Sequence, residues 1–227
     1  SMATCATDTG YTQTSTQAST AATTVAVTGL LPGRLHYCKV VATNSSGTSP
    51  SSLVLQVTTN GWSMLSAGYS GTTCGLRANV AYCWGLNTNG QLGNGNTTTI
   101  DTPVAVDVSG ALIGKKVTAI SANGSHTCAV ADGKAYCWGS NTYGQIGDNT
   151  TTPSSLPVAV DMSGALSGKT VTDISVGNGF SCAVASGAVY CWGYNANGRL
   201  GINSTTDSLV AVAVNTAGVL SGKTVTS

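Results

Sequence analysis

The chain has 227 residues, of which 41% are hydrophobic and only 7% are charged, and its formal net charge is +1. So small a charge gives no field that would concentrate nucleic acid or anionic lipid, and both classes of partner are excluded. All eight acidic residues are aspartate, which argues against long helices, and no run of about 18 apolar residues predicts a membrane span.

The first 60 residues contain three motifs that are typical of strands and turns in a sandwich domain. They are the runs VAVTGLLPG at 25–33, YCKVVATN at 37–44 and GTS at 47–49. These runs resemble the later half of a fibronectin type III domain, although His36 stands where that family has the tyrosine of its corner. The resemblance implies that residues 1–60 are a partial domain with strands E, F and G. It also places Cys5 near strand C, beside strand F, so Cys5 and Cys38 are expected to form a disulfide.

From residue 61 onward the sequence repeats with a constant period. The Cys-Trp-Gly triplet begins at Cys83, Cys137 and Cys191, which are 54 residues apart. Other residues that recur in this register are cysteines at 74, 128 and 182, asparagines at 87, 141 and 195, and glycines at 93, 147 and 201. A fixed period of this length indicates a repeat architecture. We therefore expect three units within 61–227, and we expect that the chain is cut within a fourth.

Each unit is predicted to be a small sheet of four strands. In the second unit the strands are predicted at 117–121, 127–131, Lys134–Gly139 and 156–160, with glycine-rich turns between them. Apolar residues do not recur at the spacing of a helix. Four short strands per unit predict the blade of a β-propeller, and about three blades predict an incomplete one.

The cysteines of each unit are predicted to pair across a tight hairpin. Asp132-Gly133 suits a two-residue turn of type I′, and counting outward from it places Cys128 opposite Cys137 at a non-hydrogen-bonded position. Such positions lie within disulfide reach. The same count in the other hairpins gives the pairs Cys74–Cys83 and Cys182–Cys191. The alternative is a zinc site or free thiols, but Cys-x2-Cys spacing is missing, so we expect an oxidising location outside the cell or on its surface.

The repeat unit resembles a known family. The residues that carry the resemblance are HTCAV at 126–130, Asp132-Gly133, YCWG at 136–139, Asn141, GQIG at 144–147 and PVAV at 157–160. They resemble the regulator of chromosome condensation repeat, in the version with paired cysteines, and the family implies a β-propeller. The third unit departs from the pattern at Ala211, where the others have proline, and at Arg199, where they have glutamine.

No catalytic, cofactor or metal site is predicted. His126 has no histidine one period away, since Thr72 and Phe180 stand there, so we interpret it as a loop or blade-edge residue. Asp107 and Asp161 recur at the period and are interpreted as turn residues. A calcium loop at Asp148 or Asp101 matches no known spacing.

Two further residue types recur. The tryptophans are interpreted as core between blades, with ligand stacking as the alternative. Five asparagines begin Asn-x-Ser/Thr triplets that permit glycosylation in a suitable pathway; they are Asn44, Asn96, Asn123, Asn149 and Asn203.

These patterns favour a non-enzymatic protein-binding or adhesion scaffold that is secreted or attached to the cell surface. Its partner is expected to be a protein or a glycan, contacted through loops at the blade rims. A structural alternative is a fragment whose open blade edges join other chains. A hydrolase is the third hypothesis, and it would depend on His126 or on a non-repeated aspartate.

Overall fold

The computed structural model describes the backbone of the strands within the first 60 residues and, with side chains, residues 61–69, 71–217 and 221–225. The chain divides into two compact units, Ser1–Ser63 and Met64–Ser227. All the regular elements of the described residues are strands, which confirms the expected all-β class. No helix long and apolar enough to cross a membrane occurs in this part of the chain.

Within the described residues of the first unit there are six strands, which are rich in threonine and valine, residues that suit a pleated surface. They are β1 (Met2–Thr7), β2 (Thr12–Thr16), β3 (Leu35–Val41), β4 (Thr43–Asn44), β5 (Gly47–Thr48) and β6 (Leu55–Thr58). Four of them form an antiparallel sheet in the order β2-β1-β3-β6, and β4 pairs with β5. Cys5 lies opposite Cys38 in the register of β1 and β3. Their side chains and the predicted strand E lie outside the described residues.

From Trp62 onward, the described residues form three four-stranded sheets, one for each repeat. The first contains β7 (Trp62–Ala67), β8 (Thr72–Arg77), β9 (Val80–Gly85) and β10 (Ile100–Ala105). The second contains β11 (Val117–Asn123), β12 (His126–Ala131), β13 (Lys134–Gly139) and β14 (Ser154–Ala159). The third contains β15 (Val171–Val176), β16 (Phe180–Ala185), β17 (Ala188–Gly193) and β18 (Ser208–Ala213). Each sheet is a blade, as the period predicts.

The central hairpin of each blade has the register that the turn residues predict. In the second blade Asp132 and Gly133 have φ angles of 47° and 72°, as a turn of type I′ requires. Ala131 therefore faces Lys134, and Cys128 faces Cys137. The same geometry recurs in the other two blades.

The first and fourth strands of the second blade begin or end at residues that differ from the predicted ones. The fourth strand of the second blade was expected at 156–160 but runs from Ser154 to Ala159. A bulge explains the difference, because Gly139 pairs with Ser154 whereas Cys137 pairs with Val158. Pro157, which has no N–H to donate, lies within this bulge. The third blade keeps the same irregularity with Ala211 in place of the proline, so that departure from the family pattern does not change the register.

The core lies between successive blades. All six residues of β12 are buried, because the second blade packs against the first through β11 and β8 and against the third through β12 and β15. Trp138 fills the interface between the first two blades, and Trp192 fills the next one. Both indoles are fully buried, which confirms that they are core between blades, whereas Trp84 of the first blade is only partly buried.

Candidate binding surface

A hydrogen-bonded clasp joins each blade to the next. The indole N–H of Trp138 and the hydroxyl of Thr127 both donate to the backbone carbonyl of Gln91 in the preceding blade, at 2.9 and 2.8 Å. One period later Trp192 and Ser181 donate in the same way to the carbonyl of Gln145, each at 2.9 Å. Because these donors are buried and satisfied, the clasp makes the blade interface specific as well as apolar.

A glycine in each clasp permits the close approach of the indole. A Cβ atom at Gly93 would lie 2.6 Å from Nε1 of Trp138, and one at Gly147 would lie 2.6 Å from Nε1 of Trp192. Both glycines also have positive φ angles, of 71° and 82°. The recurring glycine is therefore required by packing as well as by the backbone.

A buried asparagine holds the long loop of each blade in shape. The Oδ1 atom of Asn141 accepts from the N–H of Ile146, and its Nδ2 atom donates to the carbonyls of Thr150 and Thr152. Asn87 and Asn195 make the equivalent bonds in the first and third blades. The three asparagines are completely buried. Their recurrence was visible in the sequence, but their role in the loops was not.

These loops form one end of the blades, which we call the loop rim; it comprises residues 86–99, 140–153 and 194–207. Each loop follows the glycine that ends the third strand of its blade and carries a run of exposed hydroxyl residues. The runs are Thr97–Thr99, Thr150–Thr152 and Ser204–Thr206, written in the order of the blades. The rim therefore presents the same polar surface three times on a fixed backbone.

The rim also carries aromatic residues that do not recur. The rings of Tyr143 and Tyr194 contact each other at a tilt of 32°, with centroids 4.4 Å apart. The guanidinium of Arg199 lies 4.6 Å from the Tyr194 centroid and 5.6 Å from that of Phe180. Sequence reasoning noted the departure at Arg199 but missed this cluster. The sequence does contain an indication of the cluster, because all four residues differ from their equivalents in the other repeats.

An open depression of about 710 Å³ lies on the third blade. Its lining includes Gly198, Gly201, Asn203 and Ala217. The equivalent glycines of the earlier blades contact the following blade, since a Cβ atom at Gly144 would lie 2.5 Å from Leu209. The depression therefore has the position of a blade-docking surface.

His126 is not the loop or blade-edge residue that the sequence suggested. It is the first residue of β12, is only 1% exposed, and its Nε2 atom lies 2.9 Å from the hydroxyl of Ser181 in the next blade. Since that hydroxyl donates its proton to the Gln145 carbonyl, we assign the Nε2–H tautomer to His126 as donor. The Nδ1 atom is buried without a hydrogen-bond partner. Burial alone lowers the pKa of His126 to about 3.

This histidine and serine do not have the arrangement of a catalytic pair. A nucleophilic serine must donate its proton to the imidazole, and a third group must orient the ring. Here the serine donates elsewhere, no acid orients Nδ1, and Ser181 is completely buried. The pair is a hydrogen-bonded contact between blades.

The aspartates at turns behave as capping residues. The hydroxyl and N–H of Ser109 donate to Asp107 and hold the pKa of its carboxyl below the ordinary value, and Ser163 does the same for Asp161. Asp148 accepts from the N–H and hydroxyl of Thr150 and from Nδ2 of Asn141. No group of three or more His, Cys, Asp or Glu residues that could hold a metal occurs among the described residues.

The hairpin cysteines are joined as three disulfides. The Cα atoms of Cys74 and Cys83 are 4.1 Å apart, and those of Cys128–Cys137 and Cys182–Cys191 are 4.0 Å apart.

Among the glycosylation triplets, Asn96, Asn149 and Asn203 are exposed on the loop rim. Asn123 differs, because its Nδ2 atom donates to the carbonyl of Val176 in the next blade.

Comparison with known proteins agrees with the blade architecture. A family model described as Regulator of chromosome condensation (RCC1) repeat matches residues 80–130, 132–184 and 186–216. The chain belongs to this repeat family. A second RCC1 repeat model matches residues 117–145 and 171–199.

The RCC1 repeats of this chain are similar to parts of larger proteins. The chain is 32% identical over 150 residues to the ultraviolet-B receptor UVR8 of Arabidopsis thaliana, a match that covers 65% of this chain and 33% of the receptor. It is also 32% identical over 125 residues to the human E3 ubiquitin-protein ligase HERC2, with coverage of 53% and 2%. The chain thus spans one third or less of these two relatives.

Solved structures also share the fold. Human WBSCR16 superposes with a TM-score of 0.60 at 22% identity, covering 80% of this chain and 47% of that one. Prp20p of Saccharomyces cerevisiae gives a TM-score of 0.55 at 15% identity, with coverage of 80% and 59%. At these identities the likeness shows the propeller fold and not a shared function.

Proposed function

We propose that this chain is a protein-binding scaffold module of an exported or surface-attached protein and that it has no catalytic activity. The observation that carries the proposal is the loop rim, where a buried asparagine in each blade fixes a loop with exposed hydroxyl residues. A surface that is ordered before binding loses little conformational entropy when a partner docks. Three equivalent loops offer such a surface along successive blades.

The relatives support a role in binding. Prp20p has been studied for its binding to Gsp1p and histones, and the yeast protein has also been crystallised with Kap60. The E3 ligases among the relatives match this chain through the RCC1 repeats. A non-catalytic module agrees with the geometry of Ser181 and His126 described above.

The first unit is proposed to be a fibronectin type III-like domain. Its sheet order β2-β1-β3-β6 is the one expected if β1 is strand C, β3 is strand F and β6 is strand G, with β2 beside strand C. The register that sets Cys5 opposite Cys38 also agrees with a bridge between strands C and F. Domains of this type are common on cell surfaces, which favours adhesion as the setting.

Mass mapping of the cysteines tests the proposed compartment. Protein recovered from its native source without reduction is expected to yield peptides that join Cys74 to Cys83, Cys128 to Cys137, Cys182 to Cys191 and Cys5 to Cys38. The physical reason is that facing cysteines at non-hydrogen-bonded positions oxidise readily outside the reducing cytosol. Free thiols in the three hairpins would contradict an exported protein.

A capture experiment tests protein binding through the rim. The immobilised chain is incubated with the secreted and surface proteins of its source, and retained proteins are identified by mass spectrometry. We expect one protein to be retained by the wild type and lost from a T151A/T205A double variant, because both threonines are exposed on the rim. A T118A/T172A variant, changed at exposed positions of β11 and β15, is the matched control.

Two outcomes would count against this function. If the rim and control variants retain the same proteins equally, the loops are not the binding surface. If retention persists after the source fraction has been digested with protease, the partner is a glycan.

A second candidate function is assembly through the depression on the third blade. The glycines that line it are those that receive the next blade in the first two repeats. A chain that assembles in this way would sediment as multimers, and an A217W variant that fills the depression would sediment as a monomer. A wild-type monomer at all concentrations would remove this candidate.

A further inference from the structure

Tyr143, Tyr194 and Arg199 of the loop rim, together with Phe180 at the start of β16, form what we call the aromatic-arginine cluster. Tyr143 is 41% exposed, and the other three side chains are partly exposed. Tyrosine and arginine are the residue types enriched in the energetic centres of protein interfaces. The cluster spans the second and third blades, so it occupies a fixed position on the rim.

The repeat framework does not require these residues. One period away, Tyr194 is replaced by Ser140 and Arg199 by Gln145, while Tyr143 corresponds to Asn89 in the first blade. At Gln145 the side-chain oxygen accepts from the N–H of Tyr143, which an arginine cannot do. The third blade folds without that bond. The cluster is therefore an addition to the framework and not part of it.

The guanidinium of Arg199 has donors left for an external group. Its Nη1 atom donates to the carbonyl of Asn178 at 3.2 Å, and within the described residues no carboxylate forms an ion pair with it. The aspartates of the same blade are engaged elsewhere, since Asp207 accepts from the N–H of Asn195 and Asp173 from that of Ile174. A partly buried cation without an ion-pair partner is stabilised when an anionic group binds to it.

A carboxylate fits this cation better than a phosphate does. A guanidinium presents two parallel N–H groups that match the two oxygens of a carboxylate. A doubly charged phosphate would need further cations, and the cluster contains only Arg199. The aromatic rings hold the guanidinium in place before binding, so less side-chain entropy is lost.

We propose that the aromatic-arginine cluster binds an acidic segment of a protein partner, with an Asp or Glu carboxylate on Arg199 and an adjacent proline or apolar side chain on Tyr143. The inference rests on the proposed protein-binding function. It adds the chemistry of the partner and the residues that recognise it.

The repeat supplies variants that remove the cluster with little risk to the fold. R199Q, Y194S and Y143N each introduce the residue that another blade carries at the same position. Y69S, at a tyrosine that is 71% exposed outside the cluster, is the matched control. Thermal unfolding of all four variants should match that of the wild type.

The probe is a fluorescein-labelled dodecapeptide of alternating glutamate and proline, followed by fluorescence anisotropy. We expect R199Q to weaken its binding about tenfold, since a charge-assisted hydrogen bond is lost. Y143N and Y194S should weaken binding less than R199Q does, and Y69S should have no effect. A glutamine-proline dodecapeptide should not bind.

Three results would overturn the inference: equal binding of the acidic peptide to the wild type and R199Q, no binding to either, or tighter binding of a glucuronic acid hexamer than of the peptide.

The capture experiment separates this inference from the proposed function. If R199Q retains the same partner protein as the wild type, the inference fails and the protein-binding function stands. If neither form retains any protein, the proposed function fails.

Discussion

Replacing Trp138 with alanine is expected to lower the free energy of unfolding by about 3–5 kcal/mol. The indole is fully buried between the first two blades and donates to the Gln91 carbonyl, so the variant leaves a cavity at the interface that joins them. Urea denaturation followed by circular dichroism measures the change. G93A should also destabilise the protein, because its Cβ atom would meet the indole at 2.6 Å.

A phenylalanine at position 138 separates packing from hydrogen bonding. W138F keeps a ring in the interface, and the Gln91 carbonyl still accepts from the hydroxyl of Thr127. We expect a loss of about 1–2 kcal/mol, well below that of W138A. Y69A is the surface control and should change stability by less than about 0.5 kcal/mol. If W138A unfolds at the same urea concentration as Y69A, the clasp does not hold the blades together.

The parts of the fold that follow from local chemistry could be predicted from the sequence. The period of 54 residues defines the blades, and the dipeptide Asp132-Gly133 sets the hairpin register, because only a few residues tolerate positive φ angles there. Once that register is known, the position of Cys128 opposite Cys137 is a matter of counting. The turn lies within a few residues of the pairs that it determines, and the period can be read directly from the sequence.

The features that depend on contacts between blades could not be predicted in the same way. His126 was assigned to a loop or blade edge, but it is buried and contacts Ser181 of the next blade, 55 residues away. Within a single blade, the bulge that moves the start of β14 was missed for a related reason, because it depends on the pairing of β13 with a strand that lies beyond the long loop. Periodicity shows which residues are equivalent, but not which of them lie at an interface.

The candidate site was the least predictable part. Sequence reasoning treated Arg199 as a loosened motif, whereas the structure places its guanidinium against Tyr194 and Phe180. A departure from the repeat can be neutral, as at Ala211, or can build a new surface, as at Arg199. Only the side-chain distances distinguish these two cases.

Acidification below pH 6.5 is expected to destabilise the protein through His126. Burial lowers the pKa of this imidazole from 6.5 to about 3 in the folded state. Between these two values the unfolded chain binds about one more proton than the folded one, so the free energy of unfolding falls by about 1.4 kcal/mol per pH unit. The contribution of the neutral imidazole is fully present above pH 6.5 and is lost as the pH falls towards 3.

A variant taken from the repeat isolates this effect. H126T introduces the residue found at position 72, where the threonine hydroxyl donates to the carbonyl of Leu86. Between pH 7 and pH 4.5 the wild type should lose about 2–3 kcal/mol more than H126T in urea denaturation. Asp107 and Asp161, whose pKa values are also lowered, are present in both proteins, so their contribution cancels in the comparison. Equal losses in the two proteins would show that the imidazole takes up its proton without unfolding, and that the contact between His126 and Ser181 is open to water.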